Sequence, residues 1–232
     1  MLFFDPLYLL IAAPALLLSV GAQFWVKSAF ARYGKVPNRG GITGAEAARR
    51  ILHAAGLGHV RIEAAQGFLS DHYDPRGKVL RLSPDVYSQA TLAAVGVAAH
   101  EAGHALQDAR GYQAMQLRSA LVPVASIGST LAMPLLMFGF LLQAAALVKV
   151  GVLLFAAVVA FQLVTLPVEF NASSRALQAL GEVGVLSADE LPGARKVLSA
   201  AALTYVAAAI AAVGQLIYFL LRSGMLGGRS DE

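Results

Sequence analysis

The sequence contains no cysteine and few charged residues, and each shortage excludes a class of protein. Without cysteine there is no disulfide framework, and no thiolate can bind a metal or act as a nucleophile. Charged residues make up 14% of the 232 residues and hydrophobic residues 57%, whereas soluble domains contain about 25% charged residues. The net charge is +4, but the lysines and arginines form no basic run, so nucleic-acid binding is not expected. Long uncharged stretches cause the shortage of charge and predict a membrane protein.

Four apolar stretches are long enough to cross a bilayer as helices, which takes about 20 residues each. They cover residues 6–26, 121–142, 150–166 and 200–221. The first could instead be a signal peptide, but the chain start has no basic residue and carries Asp5, which disfavours that alternative. The alanine-rich fourth stretch could be a buried soluble helix. Its strongly apolar end, followed by Arg222, favours a membrane exit.

The spans divide the chain into alternating apolar and polar parts. These parts are a first span (1–26), a polar segment (27–118), two spans (119–166), a second polar segment (167–199), a last span (200–222) and a tail (223–232). Two crossings return a chain to the side it left, so both polar segments are expected on one face of the membrane. The first polar segment holds 12 of the 18 lysines and arginines, and positive charge favours the cytoplasm. We therefore predict a multi-pass protein of a prokaryotic inner membrane, with both polar segments in the cytoplasm.

The larger polar segment has the pattern of a small α/β unit. Thr43 and Glu46 form a capping-box pattern that opens a helix ending near Ala55. Residues 60–64 and 79–82 resemble short strands, and 74–77 is a turn signal between them. A second helix is expected over about 89–109. The predicted fold is a mainly α membrane protein with about four transmembrane helices and a small α/β unit on the cytoplasmic face.

One motif inside the second predicted helix carries recognisable chemistry. His100-Glu101-Ala102-Gly103-His104 matches H-E-x-x-H, and residues four apart share a helix face, so both imidazoles can reach one ion. Zinc suits such ligands and lowers the pKa of bound water toward about 7. Glu101 could then accept a proton from that water and pass it to a leaving amine. The alternative is a pair of histidines satisfied by hydrogen bonds on an amphipathic helix.

A third ligand is needed, and the sequence offers few candidates. The metzincin pattern places a histidine six residues after His104, but that position is Arg110. Glu169 lies just beyond the third predicted span and begins a helical pattern on the same predicted face of the membrane. It is therefore a candidate ligand. It could instead be an interfacial carboxylate that pairs with Arg175 or caps its helix.

Four pieces of the chain resemble the YugP-type neutral zinc metallopeptidases of bacterial membranes. They are Asp71-His72-Tyr73-Asp74-Pro75, Leu82-Ser83-Pro84, Ala99-His100-Glu101-Ala102-Gly103-His104-Ala105 and Leu166-Pro167-Val168-Glu169-Phe170-Asn171-Ala172-Ser173-Ser174-Arg175. The likeness covers nearly the whole chain. More distantly the chain resembles membrane gluzincins, the prenyl-protein endopeptidase and heat-shock membrane protease group, which pair H-E-x-x-H with E-x-x-A-D. The resemblance implies a single zinc ion with Glu169 as third ligand. It also places Ser173 where that group has an aspartate that orients a histidine.

Several supporting roles are suggested by position alone. His72, Tyr73 and Arg175 could donate to the oxyanion of the reaction, or could serve in a turn, in packing or in an ion pair. Asp108 follows His104 by one turn and could orient it, or could be a solvated helix end. A strand beside an active-site helix can pair with an extended peptide substrate. We assign that substrate role to Val79, Leu80, Arg81 and Leu82.

The function that these features predict is a zinc metallopeptidase acting on peptides or membrane-protein segments. A metal transporter or other metal-handling protein would need polar residues inside its spans, which have few beyond Gln162 and Gln215. An intramembrane protease would need its zinc motif inside a span and an aspartate ligand in another, and no span contains aspartate. A non-catalytic scaffold with a structural zinc is the remaining alternative.

Overall fold

The computed structural model describes residues 5–67 and 70–226, and most of them lie in helices. Four long helices, α1 (Pro6–Tyr33), α5 (Gln113–Leu141), α6 (Ala145–Glu182) and α7 (Leu191–Arg222), are long and apolar enough to cross a membrane. The four predicted apolar stretches lie in these helices except for Leu142, which follows the end of α5, so the predicted number of candidate spans is confirmed for this part of the chain. The start and the tail of the chain, with Arg229, lie outside the described residues.

Helix α6 continues through a proline where we predicted the end of a span. Pro167 lies inside the helix, which runs unbroken to Glu182. Proline removes one N–H donor, but long membrane helices tolerate this because neighbouring groups satisfy the freed carbonyl. Residues 169–175 are therefore helical, as predicted, and Glu169 and Ser173 lie one turn apart on one face.

The chain forms two compact units. One comprises the described parts of Met1–Gly21, Leu117–Leu166 and Thr204–Glu232, with an apolar cluster that includes Leu136, Val152 and Phe219. The other comprises Ala22–Gln116 and Pro167–Leu203, and contains the remaining elements. These elements are α2 (Gly44–Ala54), β1 (Arg61–Ala64), β2 (His72–Asp74), β3 (Val79–Leu82), α3 (Pro84–Ser88) and α4 (Leu92–Ala109).

The second unit contains a small mixed sheet with strand order β1-β3-β2. Strand β1 runs parallel to β3, and β2 runs antiparallel to it with Tyr73 opposite Leu80. The predicted strands at 60–64 and 79–82 are confirmed. Strand β2 was not predicted, because Asp74 and Pro75 are turn residues. Asp74 does form that turn, since its Oδ1 accepts hydrogen bonds from the N–H groups of Arg76 and Gly77.

Local sequence explains the ends of the short helices. Thr43 caps α2 by accepting a hydrogen bond from the Glu46 N–H, as the capping pattern predicts. Thr91 caps α4 in the same way through the Ala94 N–H, so this helix begins three residues later than the predicted position 89. Gly111 follows the end of α4 with φ +61, a backbone conformation that favours glycine.

Candidate metal centre

Helix α4 brings the H-E-x-x-H side chains to one place. Atoms of His100, Glu101 and His104 that could bind a cation all lie within 4.8 Å of one another. Glu101 and His104 are only 8% and 7% exposed. Burial of an acid beside two imidazoles is costly unless the groups interact, so this cluster could hold a metal ion.

Helix α6 adds a second carboxylate to the cluster. Glu169 is 2% exposed, and its Oε2 lies 3.1 Å from His100 Nε2 and 3.6 Å from His104 Nε2. Zinc bonds of about 2.0–2.2 Å in a tetrahedral site place neighbouring ligand atoms roughly 3.3–3.5 Å apart. The two measured separations bracket that spacing. The Oε2 atom of Glu169 therefore lies near both imidazoles, at separations close to those between neighbouring ligands of a metal ion.

Close packing of α4 on α6 depends on a glycine. A Cβ atom at Gly103 would lie 2.6 Å from the backbone oxygen of Ala172, closer than real Cβ contacts. Ala99 and Ala102 on α4 and Ala172 on α6 are fully buried as well. Small residues on both helices thus let the backbones approach, and this approach places Glu169 beside the two histidines.

The Nδ1 atoms of both imidazoles, which face away from Glu169, have polar partners. His100 Nδ1 lies 3.1 Å from Ser173 Oγ, and His104 Nδ1 lies 3.0 Å from Gln107 Oε1. Ser173 therefore contacts one of the two imidazoles of the H-E-x-x-H motif. Gln107 has no counterpart in our sequence predictions, although its position three residues after His104 puts it on the same helix face. The Nε2 atoms of both rings are left facing Glu169.

The charges around His104 determine its proton affinity. Burial acts to lower the pKa of the His104 imidazole, but the nearby carboxylates of Glu169 and Glu101 act in the opposite direction. Their combined effect is larger, and the pKa is raised. The two carboxylates thus favour a positive charge, either a proton or a metal cation, at this imidazole.

A partly buried aspartate, Asp71, lies within electrostatic range of Glu101. Asp71 accepts hydrogen bonds from the Ser83 backbone N–H at 2.7 Å and from the Ser83 hydroxyl at 3.0 Å. Burial raises the pKa of Asp71, the Ser83 hydrogen bonds oppose this, and the charge of Glu101 adds to the increase. Asp71 therefore joins the loop before β2 to the start of α3, next to the H-E-x-x-H cluster.

The three residues suggested as oxyanion donors are His72, Tyr73 and Arg175. In the structure Tyr73 and Arg175 bind other side chains, and His72 lies on the opposite face of its strand from Tyr73. The Tyr73 hydroxyl donates to Asp108 at 2.7 Å, and burial together with this bond raises the pKa of Tyr73. Arg175 Nε donates to Asn171 Oδ1 at 2.7 Å. Side chains alternate along a strand, so His72 points to the face of β2 opposite Tyr73. Asp108 holds Tyr73 and Lys78 rather than His104.

The predicted substrate strand needs a correction. Residues Val79–Leu82 form β3, the central strand, and both of its edges are already paired, with β1 on one side and β2 on the other. A peptide cannot add to a strand whose backbone groups are already hydrogen-bonded. The sequence could not reveal this pairing, because the second neighbour, β2, has only three residues and its sequence is typical of a turn.

Comparisons with known proteins agree with the geometry of the site. A family model described as "Putative neutral zinc metallopeptidase" matches residues 8–224. The chain is 48% identical over 226 residues to the "Putative membrane protease YugP" of Bacillus subtilis (strain 168), which covers 97% of this chain and 100% of that relative. No solved structure matches. The predicted resemblance is confirmed, and together with four candidate spans it supports a membrane protein. Because this model spans nearly the whole chain, the protein belongs to the family that the model describes.

Proposed function

We propose that the protein is a membrane zinc endopeptidase with a gluzincin-like site. In this proposal His100, His104 and Glu169 hold one zinc ion, and Glu101 transfers protons. The observation that carries the proposal is the convergence of two imidazole Nε2 atoms on one carboxylate oxygen of Glu169, at 3.1 and 3.6 Å. Membership in a zinc metallopeptidase family supports the choice of metal and reaction.

Two carboxylates compete for the role of third ligand. Glu101 lies in the same cluster as the histidines, with its nearest ligand-type atoms within 4.8 Å of theirs. We assign the ligand role to Glu169, because a single oxygen of this residue lies within about 0.2 Å of tetrahedral spacing from both imidazoles. Glu101 is then available for proton transfer, which needs a carboxylate that is near the metal without being bound to it.

The residues of the chain have distinct tasks in peptide hydrolysis. A bound zinc ion supplies a Lewis acid that polarises the scissile carbonyl and makes water more acidic. Glu101 accepts a proton from the water whose oxygen attacks the carbonyl carbon. It then returns that proton to the nitrogen of the leaving peptide as the C–N bond breaks. Burial of Glu101 strengthens these interactions, since few water molecules screen them.

The outer strand β2 replaces β3 as the proposed docking site for substrate. It packs beside α4, where the Tyr73 hydroxyl and the Lys78 ammonium group both bind Asp108. None of the described residues pairs with the outer edge of β2. An extended peptide or a membrane-protein segment could therefore add to this edge through backbone hydrogen bonds.

We also propose that the second unit faces the cytoplasm of a prokaryotic cell, as the distribution of basic residues predicts. The absence of native cysteine allows a direct test with single-cysteine variants. Gln66→Cys lies in the exposed loop after β1, and Leu142→Cys lies in the exposed turn between α5 and α6. An impermeant maleimide added to intact cells should label Leu142→Cys but not Gln66→Cys. The reverse labelling would place the site outside the cytoplasm.

The catalytic proposal is tested by comparing new peptide termini in a membrane proteome. Reconstituted wild-type protein should generate termini that Glu101→Gln does not, while both retain zinc. Glu182→Gln is the matched control, since Glu182 is an exposed acid at the end of α6. It should cleave like wild type. Identical cleavage by wild type and Glu101→Gln, with zinc bound in both, would refute the enzyme assignment.

A further inference from the structure

A chain of hydrogen bonds runs from α6 to the second histidine of the motif. Arg175 Nε donates to Asn171 Oδ1 at 2.7 Å, and Gln107 Nε2 donates to the same oxygen at 3.0 Å. Gln107 Oε1 then lies 3.0 Å from His104 Nδ1. We infer that Arg175, Asn171 and Gln107 hold His104 in the tautomer that leaves Nε2 free to bind a metal. This inference rests on the proposed metal centre and assigns Gln107 and Asn171 to it as positioning residues.

The direction of the chain is set by its first member. An arginine side chain can donate hydrogen bonds but cannot accept them. The Asn171 atom that faces Arg175 must therefore be the amide oxygen. Because Gln107 approaches that same oxygen, its nearest atom must be the NH₂ nitrogen and not the amide oxygen.

A backbone carbonyl fixes the same amide a second time. Gln107 Nε2 also donates to the Val168 carbonyl oxygen at 2.8 Å. A flipped Gln107 would place its own oxygen against two oxygen acceptors. Its Oε1 consequently faces His104, and an oxygen acceptor there requires His104 Nδ1 to carry the proton. The neutral ring then has its lone pair on Nε2, which faces Glu169.

Burial keeps this arrangement from exchanging with water. Gln107 is 0% exposed, and its oxygen and both NH₂ hydrogens have partners within the protein. Among the residues that the structure describes, no buried side-chain nitrogen or oxygen lacks a partner. Any rotation of the Gln107 amide would therefore break several bonds that no solvent molecule can replace.

A purely structural role for Gln107 is the competing interpretation. The side chain joins α4 to α6, so its loss could loosen the two helices without acting on His104. The two interpretations differ in one observable, because only the positioning role requires His104 to exist as a single Nδ1–H tautomer before metal binds.

The first test is nuclear magnetic resonance of the full chain in lipid nanodiscs, free of metal, with ¹⁵N-labelled histidine rings. The pH is raised until the ring ¹⁵N signals of His104 stop changing, so that the neutral form is observed and its two ring nitrogens report the tautomer. We expect wild-type His104 to carry its proton on Nδ1 only. Gln107→Met, which keeps the shape but neither donor nor acceptor, should give a mixture. Gln178→Met, at an exposed glutamine of α6, should match wild type. A proton on Nε2 in wild type would overturn the inference, as would a single Nδ1–H tautomer in Gln107→Met.

The second test is zinc affinity, measured by competition with a chromophoric chelator. Loss of a residue that orients a metal ligand lowers affinity by about 10–100-fold, which we expect for Gln107→Met and Asn171→Leu. Asn171→Asp keeps the shared oxygen, so it should bind zinc more tightly than Asn171→Leu. Equal affinity in this pair would contradict a positioning role. If Gln107→Met does not fold, the Asn171 pair and the wild-type tautomer decide the outcome.

These readouts do not use peptide hydrolysis. A protein that shows the expected tautomer and zinc affinities but cleaves nothing would refute the proposed enzyme and leave this inference standing. A protein that cleaves peptides although His104 has no tautomer preference would refute only the inference.

Discussion

Helices α4 and α6 both contribute side chains to the proposed metal centre, but their sequences differ in how clearly they reveal these side chains. Helix α4 presents two histidines and an acid within five residues, so its chemistry is visible in a short motif. Helix α6 supplies single polar groups, including Glu169, Asn171 and Ser173, at the end of a long apolar run. Both imidazoles nevertheless depend on α6, through Glu169 on one side of each ring and through Ser173 or the Gln107 contacts on the other. The H-E-x-x-H motif of α4 therefore needs polar residues of α6, which form no recognisable motif of their own.

The comparison is tested most severely by forcing the two helices apart. In Gly103→Ala the added Cβ would meet the Ala172 backbone oxygen, so one of the backbones must shift. We expect the free energy of unfolding to fall by about 1–3 kcal/mol, although alanine favours helices by about 1 kcal/mol over glycine. Zinc affinity should fall as well, because Glu169 would move away from the histidines. Thermal unfolding in detergent and chelator competition measure the two effects.

Gly181→Ala is the matched control for that substitution. Gly181 lies in α6, and a Cβ there would meet only the Leu191 Cδ1 at 3.5 Å, an ordinary contact. Its stability should stay the same or rise by up to about 1 kcal/mol. If Gly103→Ala were as stable and bound zinc as tightly as Gly181→Ala, the close approach of α4 and α6 would not be needed for the site.

A smaller effect is expected at Ser173, whose hydroxyl contacts His100. Ser173→Ala removes the partner of His100 Nδ1 and should weaken zinc binding by about 10-fold, the lower end of the range for such contacts. Ser173→Asp should bind zinc at least as tightly as wild type. Ser174→Ala, at the exposed neighbouring position, is the control. Unchanged affinity in Ser173→Ala would show that α6 contributes only its glutamate.

The smallest effect on activity is expected for Tyr73→Phe. Its hydroxyl binds Asp108 near the end of α4, so loss of the bond should lower the free energy of unfolding by about 1 kcal/mol. The value of kcat/KM should change far less than the roughly 10²–10³-fold drop that follows loss of an oxyanion donor. A drop of that size, with zinc content unchanged, would show that the Tyr73 hydroxyl acts as an oxyanion donor.

Features encoded over a few neighbouring residues could be predicted from the sequence. The Thr43 cap of α2, strand β3 and the shared face of His100 and His104 follow from capping, alternation and helical spacing. The four apolar stretches were recognisable because lipid-facing residues need no polar partners. These rules act on one element at a time.

Features that depend on contacts between distant residues could not be predicted in this way. Strand β2 exists because β3 pairs with it, and its own three residues carry a turn signal. Helix α6 passes through Pro167, whose local preference favours an end. Gln107 could be noticed only by position, since its partners Val168 and Asn171 are about sixty residues away along the chain. The fit of Glu169 to both imidazoles likewise required coordinates.

The account is tested most directly by the zinc content of two variants, Glu169→Gln and Glu101→Gln, after dialysis against the same chelator. Each substitution replaces a carboxylate by an amide. The amide side chains keep the size of the acids, so the folds should be maintained. We expect wild type and Glu101→Gln to retain about one zinc ion per chain and Glu169→Gln to lose it. Retention of zinc by Glu169→Gln together with its loss from Glu101→Gln would show that α4 holds the metal without α6, and would contradict the account.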